Sequence, residues 1–138
     1  MPLAQTLRRL GVKRAWLLHG QDGLDEATTT CETSVVALES GVIRSFTLAP
    51  EEAALSRAEP KALIGGDPAY NAAALRAALA GEKGPYRDIA VLNAAIALVV
   101  AEKAGTIREG AECAARALDT GAAKEKLNAL VQYSPQAQ

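Results

Sequence analysis

The chain has 138 residues, of which 49% are apolar and 22% are charged, a balance typical of one globular domain rather than of a disordered segment. Its 15 basic residues nearly balance its 16 acidic residues, so no basic surface for nucleic acid or an anionic membrane is indicated. The two cysteines lack metal-ligand spacing and no signal-peptide pattern is seen, which predicts a reduced, cytoplasmic setting.

The N-terminal part of the chain predicts half of a βαβ unit. Leu3, Leu7 and Leu10 recur at helical spacing and Gly11 ends that helix. The apolar residues 15–18 follow and are typical of a buried parallel strand. Because a crossover helix packs between two parallel strands, a chain that opens on such a helix predicts a domain whose first part is missing.

The next segment predicts a short hairpin. Residues 34–39 and Val42–Leu48 are rich in strand-forming side chains and flank Ser40-Gly41, which suits a two-residue turn. Pro50 then opens a short helical turn, and no further strand is predicted.

The rest of the chain predicts four alanine-rich helices. The first starts at Asp67-Pro68 and stops at Gly81, and the third starts at a capping box, Thr106-Ile107-Arg108-Glu109, and runs to Gly121. The second covers residues 86–104 and the last residues 122–133. The apolar run at 89–101 is shorter than the about 20 residues that a membrane-spanning helix requires, so no membrane span is predicted.

The predicted fold class is therefore α/β: a partial parallel sheet with a short hairpin, covered by alanine-rich helices. Residues 1–138 form a single, incomplete domain in this interpretation, and residues 134–138 form a frayed tail. The apolar stripes of the four helices are assigned to Leu75, Leu79, Ile107, Ala111, Leu118, Leu127 and Leu130.

Asp25 and Glu26 are the sharpest functional candidates. They are adjacent carboxylates in a glycine-containing loop just after the predicted strand, where open α/β sheets bind their ligands. Two such carboxylates can hold Mg²⁺ while the ion keeps waters and a substrate phosphate. A helix cap or a solvated acidic pair explains them equally well, so the residues alone leave both interpretations open.

Four other positions carry weaker signals. His19 could donate to a phosphate, although structural use is favoured without a catalytic partner. Gly20 and Gly23 are expected to supply positive φ values, and could also let the backbone approach a ligand. Asn93 lies on an otherwise apolar helix face and must find polar partners, with a clamp on a neighbouring loop favoured over ligand contact.

Two positions further along the chain invite similar arguments. Asn71, on the side of its helix that carries Leu75 and Leu79, also needs a polar partner. Gly65-Gly66 could offer amides to an anion, but a simple turn is favoured there.

The segment HGQDGLDEATTT resembles the anthranilate phosphoribosyltransferase family, and the resemblance extends through most of the chain. The motifs that carry it, in chain order, are Leu10-Gly11, Arg14-Ala15-Trp16-Leu17-Leu18-His19-Gly20, Asp22-Gly23-Leu24-Asp25-Glu26, Leu48-Ala49-Pro50-Glu51-Glu52, Gly65-Gly66-Asp67, Asn71-Ala72, Leu79-Ala80-Gly81, Arg87-Asp88-Ile89, Leu92-Asn93-Ala94-Ala95, Arg108-Glu109-Gly110 and Asp119-Thr120-Gly121-Ala122. The DGLDE motif after a strand and His-Gly is the specific part.

The resemblance implies a tryptophan-pathway reaction that joins anthranilate to the ribose of phosphoribosyl pyrophosphate with Mg²⁺ assistance. It implies that Asp25 and Glu26 are the metal ligands. The family's N-terminal helical domain, its glycine-rich pyrophosphate loop, its KHGNR segment and its anthranilate-contacting arginine have no counterpart in these 138 residues. The expectation is a chain that is inactive alone and that either self-associates or needs a missing N-terminal segment.

Two residues depart from the family pattern, and two other functions stay open. Tyr70 stands where the family usually has glutamate, and Cys31 stands where it usually has glycine. One alternative function is a non-catalytic oligomerisation or interaction module derived from the enzyme. The other is a relative of the pyrimidine nucleoside phosphorylases, which DGLDE and Leu92-Asn93-Ala94-Ala95 fit less well.

Overall fold

The sheet of this chain lies near its N-terminus and most of its helices follow, as seen in a computed structural model that describes residues 1–134. The elements in chain order are helix α1 (Pro2–Arg9), strands β1 (Arg14–Gly20), β2 (Thr33–Glu39) and β3 (Val42–Leu48), and helices α2 (Pro68–Leu79), α3 (Pro85–Val100), α4 (Ile107–Asp119) and α5 (Ala122–Tyr133). Two 3-10 turns, Pro50–Ala53 and Pro60–Leu63, join the sheet to α2. The predicted tail, residues 134–138, lies outside the described residues apart from Ser134.

The three strands form one sheet in the order β1-β2-β3. The predicted hairpin is confirmed: β2 and β3 pair from Thr33–Leu48 to Glu39–Val42. Ser40 and Gly41 form the turn with φ values of 49° and 83°. Two consecutive positive φ values are what the tight two-residue hairpin turn requires, because they match the twist of the flanking strands.

The prediction of a parallel strand at residues 15–18 is wrong for the pairing that the described chain makes. β1 pairs antiparallel with β2, from Arg14 opposite Glu39 to Gly20 opposite Thr33, and its residues 14–18 are half-buried rather than enclosed on both faces. The physical reason is the connection: the loop at 21–32 contains no helix, so it reverses the chain instead of carrying it across the sheet. The α/β class, the hairpin and the alanine-rich cover are confirmed.

Helix α1 also differs from its prediction. Ala4 is the residue that it buries, at 1% exposure, whereas Leu3 and Leu10 are 57% and 75% exposed. Leu7 is half-buried, so two of the three leucines of the expected stripe lie outside the core. Among the described residues α1 is followed by β1 and no strand stands ahead of it, so the half βαβ unit expected from the sequence stays a prediction.

Helix α3 is the centre of the packing. Its buried apolar side chains are those of Val91, Leu92, Ala95 and Ile96, which meet the sheet and the neighbouring helix α4. Helix α4 contributes Gly110, Ala111, Ala114 and Leu118 to the same contact. Ala111 and Leu118 confirm the predicted stripe of α4, whereas Leu75 and Leu130, at 54% and 63% exposed, lie outside the core.

The helix starts follow their sequence signals. Asp67 accepts a 2.8 Å hydrogen bond from the Tyr70 amide, and Thr106 accepts one of 3.1 Å from the Glu109 amide. Glu109 reaches back to the Gly105 amide, one residue earlier than an ideal capping box. Helix α3 ends at Val100 rather than at the predicted Ala104. None of the helices within residues 1–134 has both the length and the apolar content needed to span a membrane.

Candidate functional site

The candidate site is the loop at residues 21–32, which leaves the end of β1 and returns at the start of β2. Its first turn is closed by backbone bonds: the Gly20 amide donates to the Leu24 carbonyl at 2.8 Å, and the Gly23 amide donates to the Gly20 carbonyl at 2.9 Å. Gly23 has a φ of 98°, which confirms the expected positive value. The sequence therefore builds a tight turn between the strand and the carboxylates.

Gly20 is required for space rather than for its φ value, which corrects the prediction. It is buried and its φ is not positive. A Cβ atom placed there would collide with Asp22 Oδ1 and would lie 3.1 Å from Thr28 Cγ2 and 3.3 Å from Leu24 Cβ. The loop closes over this glycine, so a side chain at position 20 would push the loop away from the strand.

Asp22 holds the loop together through its carboxylate, although the residue is exposed. Its Oδ2 accepts hydrogen bonds from Thr28 Oγ1 at 2.6 Å and Thr30 Oγ1 at 2.5 Å, and its Oδ1 accepts one from the Leu24 amide at 3.2 Å. Both carboxylate oxygens are thus occupied, and Asp22 is an internal acceptor of the loop. The threonines were missed from the sequence, although three consecutive threonines six to eight residues after an Asp-Gly turn were a usable signal.

The hydrogen bonds to Asp22 have a consequence for pH dependence. Partial burial raises the pKa of Asp22, but the hydrogen bonds from Thr28, Thr30 and the Leu24 backbone outweigh it, so the pKa lies below its ordinary value of 3.8. A carboxyl group with a depressed pKa in the folded state stabilises that state above its unfolded pKa, and this contribution is lost as pH falls through the folded pKa.

We therefore expect the melting temperature of Asp22→Asn to fall less steeply than that of wild type as the pH is lowered below about 4. The measurement is the melting temperature of wild type and variant at several pH values from 6 to about 2.5. Thr30→Val removes one hydrogen-bond donor and leaves the carboxylate. It should also make the melting temperature fall less steeply at acid pH, but by a smaller amount than Asp22→Asn does. If the melting temperatures of wild type and Asp22→Asn fall in parallel as the pH is lowered, Asp22 does not cause this loss of stability.

Asp25 and Glu26 lie at the exposed tip of the loop. Neither carboxylate has a hydrogen-bond or ion-pair partner among residues 1–134, in contrast to Asp22. The described residues contain no group of three or more His, Cys, Asp or Glu side chains placed to hold a metal ion. Two free carboxylates nevertheless fit Mg²⁺, which is usually bound through one or two carboxylates with waters and substrate phosphates completing its shell.

His19 stands beside this loop without taking part in its hydrogen bonds. It is the penultimate residue of β1, opposite Ser34 of β2, and its side chain is exposed. Neither cysteine is in a disulfide in the described chain; Cys31 and Cys113 are both half-buried, in keeping with near-core positions. The structure does not bring His19 or the cysteines into a cluster with Asp25 and Glu26.

Asn93 fastens the loop to helix α3. Its Oδ1 accepts a 3.0 Å hydrogen bond from the Ala27 amide, and its Nδ2 donates to the Ala27 carbonyl at 2.8 Å and to the Ile89 carbonyl at 3.0 Å. The favoured interpretation from the sequence, a clamp on a neighbouring loop, is what this geometry shows. The pair is separated by 66 positions in the chain, which explains why the partner could not be named beforehand.

A second asparagine makes the same type of bond elsewhere. The Gly66 amide donates to Asn71 Oδ1 at 2.9 Å, and Asn71 Nδ2 donates to the Gly66 carbonyl at 3.0 Å. Gly65-Gly66 is therefore a turn held by Asn71, and the Gly66 amide is not free for an anion. Tyr70 covers this turn closely, because a Cβ at Gly66 would lie 2.9 Å from the tyrosine ring.

Comparison with known proteins agrees with the strand, loop and helix arrangement. The model of a glycosyl transferase family, describing its a/b domain, matches residues 1–124. The chain belongs to this glycosyl transferase family. The anthranilate phosphoribosyltransferase of Methylocella silvestris is 60% identical over 136 residues, which cover 99% of this chain and 39% of that protein. The resemblance read from the sequence is thereby confirmed, and the chain spans less than half the length of this relative.

Solved structures of anthranilate phosphoribosyltransferases show the same fold. Anthranilate phosphoribosyltransferase from Thermus thermophilus is 39% identical with a TM-score of 0.85, over 95% of this chain and 38% of that chain. The Saccharomyces cerevisiae enzyme in complex with PRPP and Mg is 22% identical with a TM-score of 0.81, over 91% of this chain and 37% of that one. At that identity the yeast enzyme supports the fold alone.

Proposed function

We propose that this chain supplies the metal-holding part of an anthranilate phosphoribosyltransferase site, with Asp25 and Glu26 as the ligands of Mg²⁺. The observation that carries the proposal is the contrast within one loop: Asp22 has both carboxylate oxygens in hydrogen bonds within the loop, while Asp25 and Glu26, which are exposed like Asp22, have no partners among residues 1–134. Carboxylates left free in a fastened loop are available to a cation and its phosphate ligand.

The two carboxylates would act by position and charge. When bound, Mg²⁺ would neutralise the charge that develops on a leaving pyrophosphate. Asp25 and Glu26 would fix where that positive charge lies relative to the end of β1. Gly20 and Gly23 shape the turn that presents them, and His19 stays a candidate for phosphate contact beside it.

The proposed substrates are phosphoribosyl pyrophosphate and anthranilate, supported by the names of the similar Methylocella silvestris and Thermus thermophilus proteins. The 138 residues hold no glycine-rich segment to cradle the pyrophosphate, so the isolated chain is expected to have no turnover. A cytoplasmic setting, where a soluble biosynthetic enzyme of this kind would act, belongs to the same proposal.

The proposed function is tested by placing residues 1–138 in the Methylocella silvestris enzyme in place of its matching segment. The expected result is a folded chimera that consumes anthranilate, followed by its fluorescence, at a rate within about tenfold of the parent enzyme when Mg²⁺ and phosphoribosyl pyrophosphate are present. The isolated chain should show no consumption. A folded chimera without turnover would overturn the proposal, and turnover by the isolated chain would overturn the expectation of inactivity.

A second candidate function, an oligomerisation module, is favoured by one apolar groove. β1 has no strand on its second edge within the described residues, and a groove of about 420 Å³ runs between β1 and α3. Its lining is mostly apolar: Ala15, Trp16, Leu18, Asn93, Ile96, Ala97, Val100 and Ala101. An open strand edge beside an apolar groove is a surface on which two copies of a chain can pair.

We expect the wild-type chain to form a homo-oligomer and Leu18→Lys to shift it to monomer, because a charge in the groove would be buried without a partner. Light scattering on both proteins over a range of concentrations measures this. Val42→Lys is the control, since Val42 is an exposed position on the other edge strand. A wild-type chain that is monomeric at all concentrations would contradict this second function.

A further inference from the structure

We infer that Asn93 is a positioning residue for the Asp25–Glu26 carboxylate pair, acting through the backbone of Ala27. This inference rests on the proposed function of that pair. Ala27 directly follows Glu26, is fully buried at 0% exposure, and exchanges two hydrogen bonds with the Asn93 side chain. The anchor of the loop is therefore one peptide unit away from the second carboxylate.

The hydrogen-bond capacity of Asn93 shows that it serves the loop rather than a ligand. Both protons of Nδ2 are used, one by the Ala27 carbonyl and one by the Ile89 carbonyl. Oδ1 accepts from the Ala27 amide, so the orientation of the side-chain amide is dictated by its partners. No Asn93 donor is left for a substrate. The weak prediction that Asn93 contacts the substrate is therefore replaced by a role in holding the loop that carries Asp25 and Glu26.

The helix beneath Asn93 makes the anchor rigid. The bond to Ile89 ties the side chain to its own helix one turn earlier, and the two preceding residues, Val91 and Leu92, are 2% and 1% exposed. On the other side of the carboxylates, Asp22 gathers the loop through Thr28 and Thr30. Asp25 and Glu26 are thus the free residues of a segment fastened both before and after them.

Outer partners that orient metal ligands typically change metal affinity by about 10- to 100-fold when removed, and we expect Asn93→Leu to weaken Mn²⁺ binding by about that factor. Mn²⁺ replaces Mg²⁺ because its free ion is counted directly by electron paramagnetic resonance. Hydrogen exchange by mass spectrometry, without metal, should show faster exchange in a peptide covering residues 20–33. Circular dichroism and melting curves establish a temperature at which every variant is folded.

Asn71→Leu is the matched control, because Asn71 makes the same pair of bonds to a single backbone residue, Gly66. It should speed exchange only in a peptide covering residues 61–75 and should change Mn²⁺ affinity by less than about twofold, since distant sites act independently. Asn93→Ala serves in place of Asn93→Leu if the leucine variant does not fold.

Two outcomes separate this inference from the proposed function. If wild type binds Mn²⁺ and folded Asn93→Leu binds it equally well, Asn93 is not a positioning residue while the metal role stands. If wild type does not bind Mn²⁺, the metal role of Asp25 and Glu26 fails. The hydrogen-exchange measurement then tests by itself whether Asn93 anchors the loop. Faster exchange confined to residues 20–33 then supports the anchoring of the loop by Asn93, and unchanged exchange overturns it.

Discussion

Replacing Asp25 by Asn and Glu26 by Gln together is expected to lower the affinity of the isolated chain for Mn²⁺ by more than about 100-fold, because hard cations bind charged oxygens far better than amides. In the chimera with the Methylocella silvestris enzyme, the same change should lower kcat by about 10²-fold or more. Both side chains are exposed and without protein partners among residues 1–134, so the free energy of unfolding should change by no more than about 0.5 kcal/mol.

The matched control for this change is Glu112→Gln with Glu125→Gln. These two carboxylates are also exposed, lie on α4 and α5, and their replacement removes the same amount of charge. The control protein should keep the Mn²⁺ affinity and kcat of the wild-type sequence. Equal losses in both double variants would show a general charge effect, and no loss in either would contradict the metal role of Asp25 and Glu26.

The features that were predictable from the sequence are those set by neighbouring residues. Ser40-Gly41 specifies its hairpin because the turn needs only two residues with positive φ. Asp67 and Thr106 cap amides three residues away, so each helix start is encoded in one short stretch. The DGLDE loop was also found in this way, since its carboxylates and its Gly23 turn are contiguous.

The features that were not predictable depend on contacts between distant residues. An apolar strand at residues 15–18 carries no information on which neighbour it will pair with or in which direction. The asparagine on an apolar helix face signalled a polar partner, but not that Ala27 would be that partner. Arg87 illustrates the same limit: its ion pair with Asp119, at 2.9 Å, joins α3 to the end of α4 and was not foreseen.

Gly110 belongs to this second group, and it explains a motif that was only a mark of resemblance in the sequence. Arg108-Glu109-Gly110 looked like part of a helix start, where glycine is unfavourable by about 1 kcal/mol relative to alanine. In the structure Gly110 is where α4 crosses α3. A Cβ atom there would lie 2.7 Å from the Ala95 carbonyl oxygen and 2.9 Å from its Cα. The glycine is needed because two helix backbones meet.

Gly110→Ala is therefore expected to lower the free energy of unfolding by about 2 kcal/mol, despite the better helix propensity of alanine. The overlap is with backbone atoms of Ala95, so no side-chain rotation relieves it and the two helices must separate. Urea unfolding measures the change, with Glu112→Ala on the exposed side of α4 as the control that should stay within about 0.5 kcal/mol. Because Asn93 precedes Ala95 by two residues on α3, the displaced helix should also loosen Ala27, seen as faster hydrogen exchange at residues 20–33. An alanine variant as stable as wild type would show that α3 and α4 are not locked at this crossing.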